Sequence, residues 1–293
     1  HLGNAVNDIN LGFQVVNTAP LVLINVLDPA KHSTDMPETE VDVIDGIAQV
    51  QQIGILVNKL NVKNGDTAMK LDKDYTVLFN NDGTMNIILL DGGAGDGAAS
   101  LTVSGKLLDA SKVTDAVIVG GVDIAAEKET GMEVIRQIYP KLAMTPGILL
   151  APRFSRSAVV AAAIQAKTKE INGVFKAVCI VDIDSTETSA QKYTDVKQTK
   201  ERQAGNDPNT YAVWPFATAG DVVYSGSTLA GALTAYTDAV NNDIPNVSPS
   251  NKTLSISAAC LPDGTEVILD QDQANTINSF GVATFLNVNG FRL

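Results

Sequence analysis

Between Val117 and Asp184 the chain alternates apolar runs of strand length with amphipathic segments of helical period, joined by Gly, Pro and Ser. It reads VIVGG, a helix, PGILLAPRFS, a second helix and then FKAVCIVDID. A strand that must be followed by a helix and another parallel strand has few ways to bury its apolar faces. The stretch therefore predicts an α/β protein whose mixed, largely parallel sheet is flanked by helices.

The remaining chain is read as attached to that core. Asn4 to Phe13 fits a short helix, with Ala5, Ile9 and Phe13 four apart, and Leu21 to Val26 (LVLINV) fits a strand buried on both faces. From Ser33 to Thr114 helical periodicity gives way to short alternating runs. Ile53 to Val57 and Leu101 to Ser104 are read as strands. Tyr75–Phe79 and Met85–Leu90 flank Asn80-Asn-Asp-Gly83, a hairpin signal, because Asp-Gly accepts the positive φ that a tight turn needs. Residues 33–114 are thus expected as a small β-rich domain inserted into an α/β core formed by 1–32 and 115–293.

Within that core, residues 127–142 carry Met132, Ile135, Ile138, Tyr139 and Leu142 on one helical face. Gly147–Ala151 reads as a strand. Ser155 or Ser157 is expected to cap a helix that turns Val159, Val160, Ala163, Ile164 and Ile171 inward. Phe175–Ile183 is the most apolar strand. Thr186–Gln203 reads as an exposed helix with a thin apolar stripe (Ala190, Tyr193, Val196). A strand at Tyr211–Trp214, a helix through Leu229, Leu233 and Val240, a strand at Glu266–Leu269, a helix at Gln271–Ser279 and a strand at Ala283–Leu286 complete the expectation. The opening HLGNAVNDIN has no signal-peptide core and no initiator Met, and the end NGFRL lacks a polar tail. Both ends are expected to be cuts from something longer.

The formal net charge of −12 argues against a nucleic-acid partner, since phosphate binding needs clustered Lys and Arg. The densest basic cluster, Lys192 to Arg202, is interrupted by Asp195 and Glu201. No apolar run approaches the length of about 18 residues that a membrane-spanning helix needs, so membrane insertion is not expected. Cys179 and Cys260 are the only cysteines. They form neither a disulfide framework nor a zinc site, and Cys179 sits within AVCIV as a buried thiol.

The sharpest chemical signal is Asp182-Ile-Asp-Ser-Thr186, directly after a strand. It matches the DxDxT pattern of haloacid-dehalogenase-type phosphatases, where the first Asp attacks phosphorus, the second handles a proton, and Mg²⁺ and a Lys hold the phosphate. The plainer reading is a strand end whose Ser185 or Thr186 caps the next helix. Asp91-Gly-Gly-Ala-Gly-Asp-Gly97 lacks the GK[ST] of a P-loop and the strand–helix setting of a dinucleotide fingerprint, as does Gly120-Gly121. The first of these reads as a flexible surface loop. Ser155 and Ser157 have no GxSxG elbow, and His1 and His32 are the only histidines. The residues therefore point to a binding or assembly component, with no catalytic, cofactor or metal site assigned and no cofactor expected.

The motifs, in their order, resemble the contractile-tail sheath proteins of bacteriophages and prophages. Val119-Gly-Gly-Val-Asp123, Thr130-Gly131, Thr145-Pro-Gly-Ile-Leu-Leu-Ala-Pro152 and Val181-Asp182 look like that family's progression. So do Leu23–His32, Tyr211-Ala-Val-Trp-Pro215, Ser248-Pro-Ser-Asn251 and Gly290-Phe-Arg-Leu293. The resemblance spans roughly 20–32 and 115–293, and 33–114 matches in character alone. It implies a non-enzymatic virion subunit that packs into six-membered rings stacked helically around a tail tube. Contraction then drives the tube into the host. Implied partners are further copies, the tail tube protein, and baseplate and tail terminator proteins. The implied place is the virion tail, with the host cytoplasm before assembly. It also implies an N-terminal arm and a C-terminal domain that this sequence lacks.

Overall fold

The computed structural model describes residues 21–220 and 222–293, so the expected helix at Asn4–Phe13 lies outside the described residues. Two compact units appear, one of residues 27–114 and one of 115–293 with the segment ahead of Leu27.

The 27–114 unit is an antiparallel sheet. Its strands are β1 (Ser33–Ile44), β2 (Ile47–Val50), β3 (Asn61–Asn64), β4 (Thr67–Ala68), β5 (Tyr75–Phe79), β6 (Met85–Leu89) and β7 (Ser100–Leu108). They lie in the order β4-β3-β7-β1-β2-β6-β5. Alternate residues of each strand face one core, where Ala48, Val50, Met85, Ile87, Leu101 and Val103 are buried. The β5–β6 hairpin forms as the Asp-Gly signal predicts, pairing Phe79 with Met85, and Gly83 takes φ +86°. Pro37 sits where the β1–β7 register shifts, a bulge that tolerates its missing N–H. Ile53–Val57 is not a strand. It makes one isolated bridge, Ile55 to Leu107, before a 3₁₀ turn at Val57–Lys59. The Asp91–Gly97 loop joins β6 to β7 and is pinned rather than free. Asp74 accepts from Ala94 N (3.1 Å), Asp96 from Gly92 N (2.9 Å), and a Cβ on Gly93 would lie 2.8 Å from Asp74 Cα.

The second unit carries a parallel sheet of β10 (Ile148–Leu150), β11 (Val178–Asp182), β12 (Thr210–Val213) and β17 (Val282–Ala283), in that order. Smaller antiparallel ribbons surround it: β8 (Gly121–Asp123) with β9 (Lys128–Thr130); β13 (Phe216–Ala219) between β14 (Val222–Tyr224) and β16 (Ala258–Cys260); and β19 (Phe291–Arg292) between β15 (Thr253–Leu254) and β18 (Leu286–Asn287). The chain is therefore a mixture of helices and strands in which the parallel sheet is present but the largest sheet is antiparallel. The parallel sheet flanked by helices expected for the core is thus present, and the largest, antiparallel sheet belongs to the β-rich 27–114 unit.

The helices are α1 (Asp115–Val119), α2 (Ile138–Leu142), α3 (Ala158–Lys169), α4 (Val196–Gln203), α5 (Gly226–Val240) and α6 (Gln271–Ser279). The alternation along β11 sorts them into layers. Cys179 and Val181 belong to the core cluster that holds Val160 and Ile164 of α3 and Val196 of α4. Ile180 belongs to the cluster of Leu229, Ala230 and Leu233 of α5. Asp182, two residues on from Ile180, thus points to the α5 side.

Several local expectations fail for identifiable reasons. VIVGG is not a strand. Val117–Val119 ends helix α1, which has Asp115 in its first turn and stops at Gly120, φ +68°. A short apolar run carries no period that separates strand from buried helix, and here the terminal signals decide. The helix expected over 127–142 starts as β9, continues as a 3₁₀ turn at Gly131–Gln137 and is α-helical only in α2. On a 3₁₀ helix residues three apart align, so Met132, Ile135 and Ile138 are buried while Tyr139 and Leu142 are exposed. Thr186–Gln203 is helical only from Tyr193, because Asp184 gathers Thr186 and Ser189 into a turn. Leu21–Val26 pairs with no strand among the described residues, and Leu21 and Leu23 are exposed while Val22 and Ile24 pack on the core. Val159 faces solvent rather than inward, and Glu266–Leu269 is extended with one bridge, Cys260 to Glu266. The last strand divides into β17 and β18.

Candidate functional site

The C-terminal ends of parallel strands are where α/β proteins gather ligands. Here that edge holds a buried polar network centred on Asp182, which is 1% exposed. The chain leaves β10 through Ser155, β11 ends on Asp182, α4 ends on Gln203, and α5 begins after Ser225. These four points converge. Asp182 Oδ1 accepts from Ser227 N at 2.7 Å. Oδ2 accepts from Ser227 Oγ (2.8 Å), Ser155 Oγ (3.2 Å) and Ser225 Oγ. The carboxylate therefore accepts four hydrogen bonds, three on Oδ2 and one on Oδ1. The Ser227 amide belongs to the first turn of α5, so the carboxylate also sits at the positive end of that helix.

Gln203 closes the network from the other layer. Its Nε2 donates to Ser155 O and Asp182 O, each at 2.7 Å, and its Oε1 accepts from Asp184 N at 2.9 Å. Asp184 is committed elsewhere, accepting from Ser189 Oγ (2.5 Å), Thr186 N (3.2 Å) and Thr186 Oγ (3.2 Å). The two aspartates of the DxDxT match therefore serve two different constellations. The carboxylate that would attack phosphorus is buried and held by four donors, none of them a cation. Among the described residues no group of three His, Cys, Asp or Glu side chains is placed to hold a metal ion.

No protein-family model matches the chain, and no curated protein matches it.

The other flagged residues fall into place around this network. Ser157 occupies the N-cap position of α3, but its hydroxyl donates to Asp115 Oδ2 (2.5 Å) and so ties α1 to α3 instead of capping. Neither Ser185 nor Thr186 caps a helix; Ser185 Oγ is buried without a partner among the described residues. Trp214, fully buried beside the cis Trp214–Pro215 bond, donates from Nε1 to Ala190 O at 2.8 Å. Cys179 is fully buried 3.4 Å from Thr210 Oγ, and burial raises its thiol pKa. Burial, with Asp263 nearby, pushes the Cys260 thiol up to about 11. Neither is a nucleophile at neutral pH.

Ser225, Ser227 and Gln203 were not flagged by the sequence. Ser225 was findable, as a serine two residues ahead of Ser227-Thr-Leu-Ala, the pattern of an N-cap before an apolar helix. Gln203, 21 residues from Asp182, carries no local signal. No helix among the described residues is long and apolar enough to cross a membrane.

With the carboxylate buried and held by four donors, the expected result for an aryl phosphate assay with Mg²⁺ is no turnover above background. Turnover that disappears in Asp182→Asn would reinstate the phosphatase reading.

Proposed function

We propose that the chain is a structural subunit of a contractile phage-type tail sheath. It assembles as stacked hexameric rings around a tail tube and shifts packing to drive the tube into a host. The observation that carries this reading is the commitment of the buried Asp182 to four donors, which favours a framework junction over a catalytic role for the DxDxT match. The other motifs of the resemblance play the same part. Gly120 and Gly131 lie back to back, so that a Cβ on Gly131 would be 2.6 Å from Gly120 Cα and 2.5 Å from Ile118 O. Pro146 and Pro152 bracket β10, an edge strand, where a missing N–H costs no ladder bond.

A contractile assembly needs such a subunit: a rigid body whose interfaces all shift together between two packings, with no nucleotide consumed. Its partners are further copies, the tail tube, and the baseplate and terminator proteins, and its place is the virion tail. Acidic charge suits a layer that surrounds the tube and does not touch DNA. The competing phosphatase reading requires Asp182 to be released from three serines and a helix amide before it reacts.

Negative-stain electron microscopy of the protein expressed from its complete gene tests the proposal. Rings or tubes of uniform diameter are expected. Monomers persisting across salt and protein concentration would count decisively against it.

A further inference from the structure

Helix α6 has opposite chemistry at its two ends. Between Lys252 and Arg292 the chain holds four carboxylates, Asp263, Glu266, Asp270 and Asp272, and no cation. All four residues are exposed. In the extended strip leading into α6, Val267 and Leu269 pack on the core, and the alternation turns Ile268 outward, where it is 80% exposed. An isoleucine framed by carboxylates thus forms a ridge ahead of the helix N-terminus.

At the other end, Ser279 and Phe280 line a surface cleft of about 330 Å³ together with Lys197, Lys200 and Glu201 of α4 and Asn206. Lys200 Nζ donates to Phe280 O (2.9 Å) and Asn206 Oδ1 (3.0 Å), which leaves one of its three N–H donors over. The Lys197 ammonium stands 5.9 Å from the centre of the Phe280 ring. None of the ion pairs among the described residues includes Lys197, Lys200, Glu266 or Asp272. The cleft therefore holds an apolar ring and two cations that make no ion pair, with one carboxylate, Glu201, beside them, and the ridge is an apolar side chain flanked by anions alone. Nine residues of α6, about 14 Å of rigid helix, separate the two within one chain.

We propose that ridge and cleft meet between copies: Ile268 of one copy seats against Phe280 of the next, with Glu266 and Asp272 facing Lys197 and Lys200. The occupant is a second copy because the charges complement each other. A chain of net charge −12 repels its own copies over most of its surface, and this cleft is a place where an acidic ridge is attracted. The contact is heterologous. Each copy added presents a fresh ridge and cleft, so the association closes into rings or extends as a helix. The choice of a self-assembling partner rests on the sheath reading, but the contact itself does not need a tail tube.

The test is sedimentation velocity on the 293-residue chain and three variants, with thermal melts to confirm folding. Wild type is expected to associate at low salt and to dissociate as salt screens the charges. Lys197→Glu/Lys200→Glu makes cleft and ridge both acidic, and Glu266→Lys/Asp272→Lys cancels the net charge of the ridge and sets lysines against the lysines of the cleft. Each alone is expected to associate about a hundredfold more weakly. An equimolar mixture restores association, since each reversed patch finds its opposite on the other variant. Ile268→Asp, which touches no hydrogen bond described above, is expected to weaken association even if loss of the Lys200 contacts unfolds the first variant. A wild type monomeric at low salt, variants that associate like wild type, or a mixture that stays monomeric would each overturn the proposal. Tubes formed equally well by the variants would leave the sheath reading standing and remove this contact. Restored association without tubes would do the reverse.

Discussion

Asp182→Ala is expected to destabilise the α/β unit by about 2–4 kcal/mol, as leaving several buried donors without an acceptor does. Three serine hydroxyls and the Ser227 amide lose their common acceptor at a site closed to water. Each buried group left unpaired costs about 1–3 kcal/mol, though the hydroxyls recover part of that by turning to one another, as the 3.4 Å separation of Ser225 and Ser227 Oγ allows. In a unit of this size the loss corresponds to a fall in Tm of about 10 °C. Hydrogen exchange is expected to quicken first at β11 and the start of α5, the two elements that the carboxylate joins. Asp182→Asn keeps the shape and one acceptor oxygen, and is expected to lose less. The experiment also separates framework from catalysis, because removing a catalytic carboxylate is commonly neutral or stabilising. A melt for Asp182→Ala within about 2 °C of wild type would end the framework assignment.

Gly120→Ala is the second large effect, with an expected loss of about 3 kcal/mol or more. Gly120 has φ +68°, where an L side chain is strained, and a Cβ there would overlap the Thr130 carbonyl outright. Gly131, φ +58°, faces it with no more room. Both contacts are to backbone, so no side-chain rotation relieves them. Gly121→Ala is the internal control. Its Cβ would meet nothing within 4 Å, so the effect is expected to stay within about 0.5 kcal/mol. Equal melts for the two alanine variants would show that the Gly-Gly pair has no packing role.

These two experiments bear on how function is to be sought here. If Asp182 and Gly120 are both framework, the organising stretch contributes a rigid body. The chemistry that matters then lies on surfaces such as the α4–α6 cleft and the Ile268 ridge. The basic cluster Lys192–Arg202 looked unremarkable in the sequence because Asp195 and Glu201 interrupt it. Helix α4 brings Lys197 and Lys200 to one wall of the cleft, with Glu201 beside them.

By itself the sequence determined the elements whose signals are local. The Asn80–Gly83 turn, the capped helix at Gln271–Ser279 and the apolar runs of β10, β11 and β12 follow from neighbouring residues. Asp270 and Gln273 complete a capping box within four positions. Tertiary structure decided what depends on a partner far along the chain. VIVGG became a helix end because Gly120 meets Gly131 and Asp115 meets Ser157. Leu21–Val26 joins no sheet among the described residues although it reads as a buried strand. Asp182 carries the same residues around it in sequence whether it attacks a phosphate or anchors a helix. Ser155, Ser225, Ser227 and Gln203 lie between 21 and 45 residues away, and only the fold brings their donors to its carboxylate and its carbonyl.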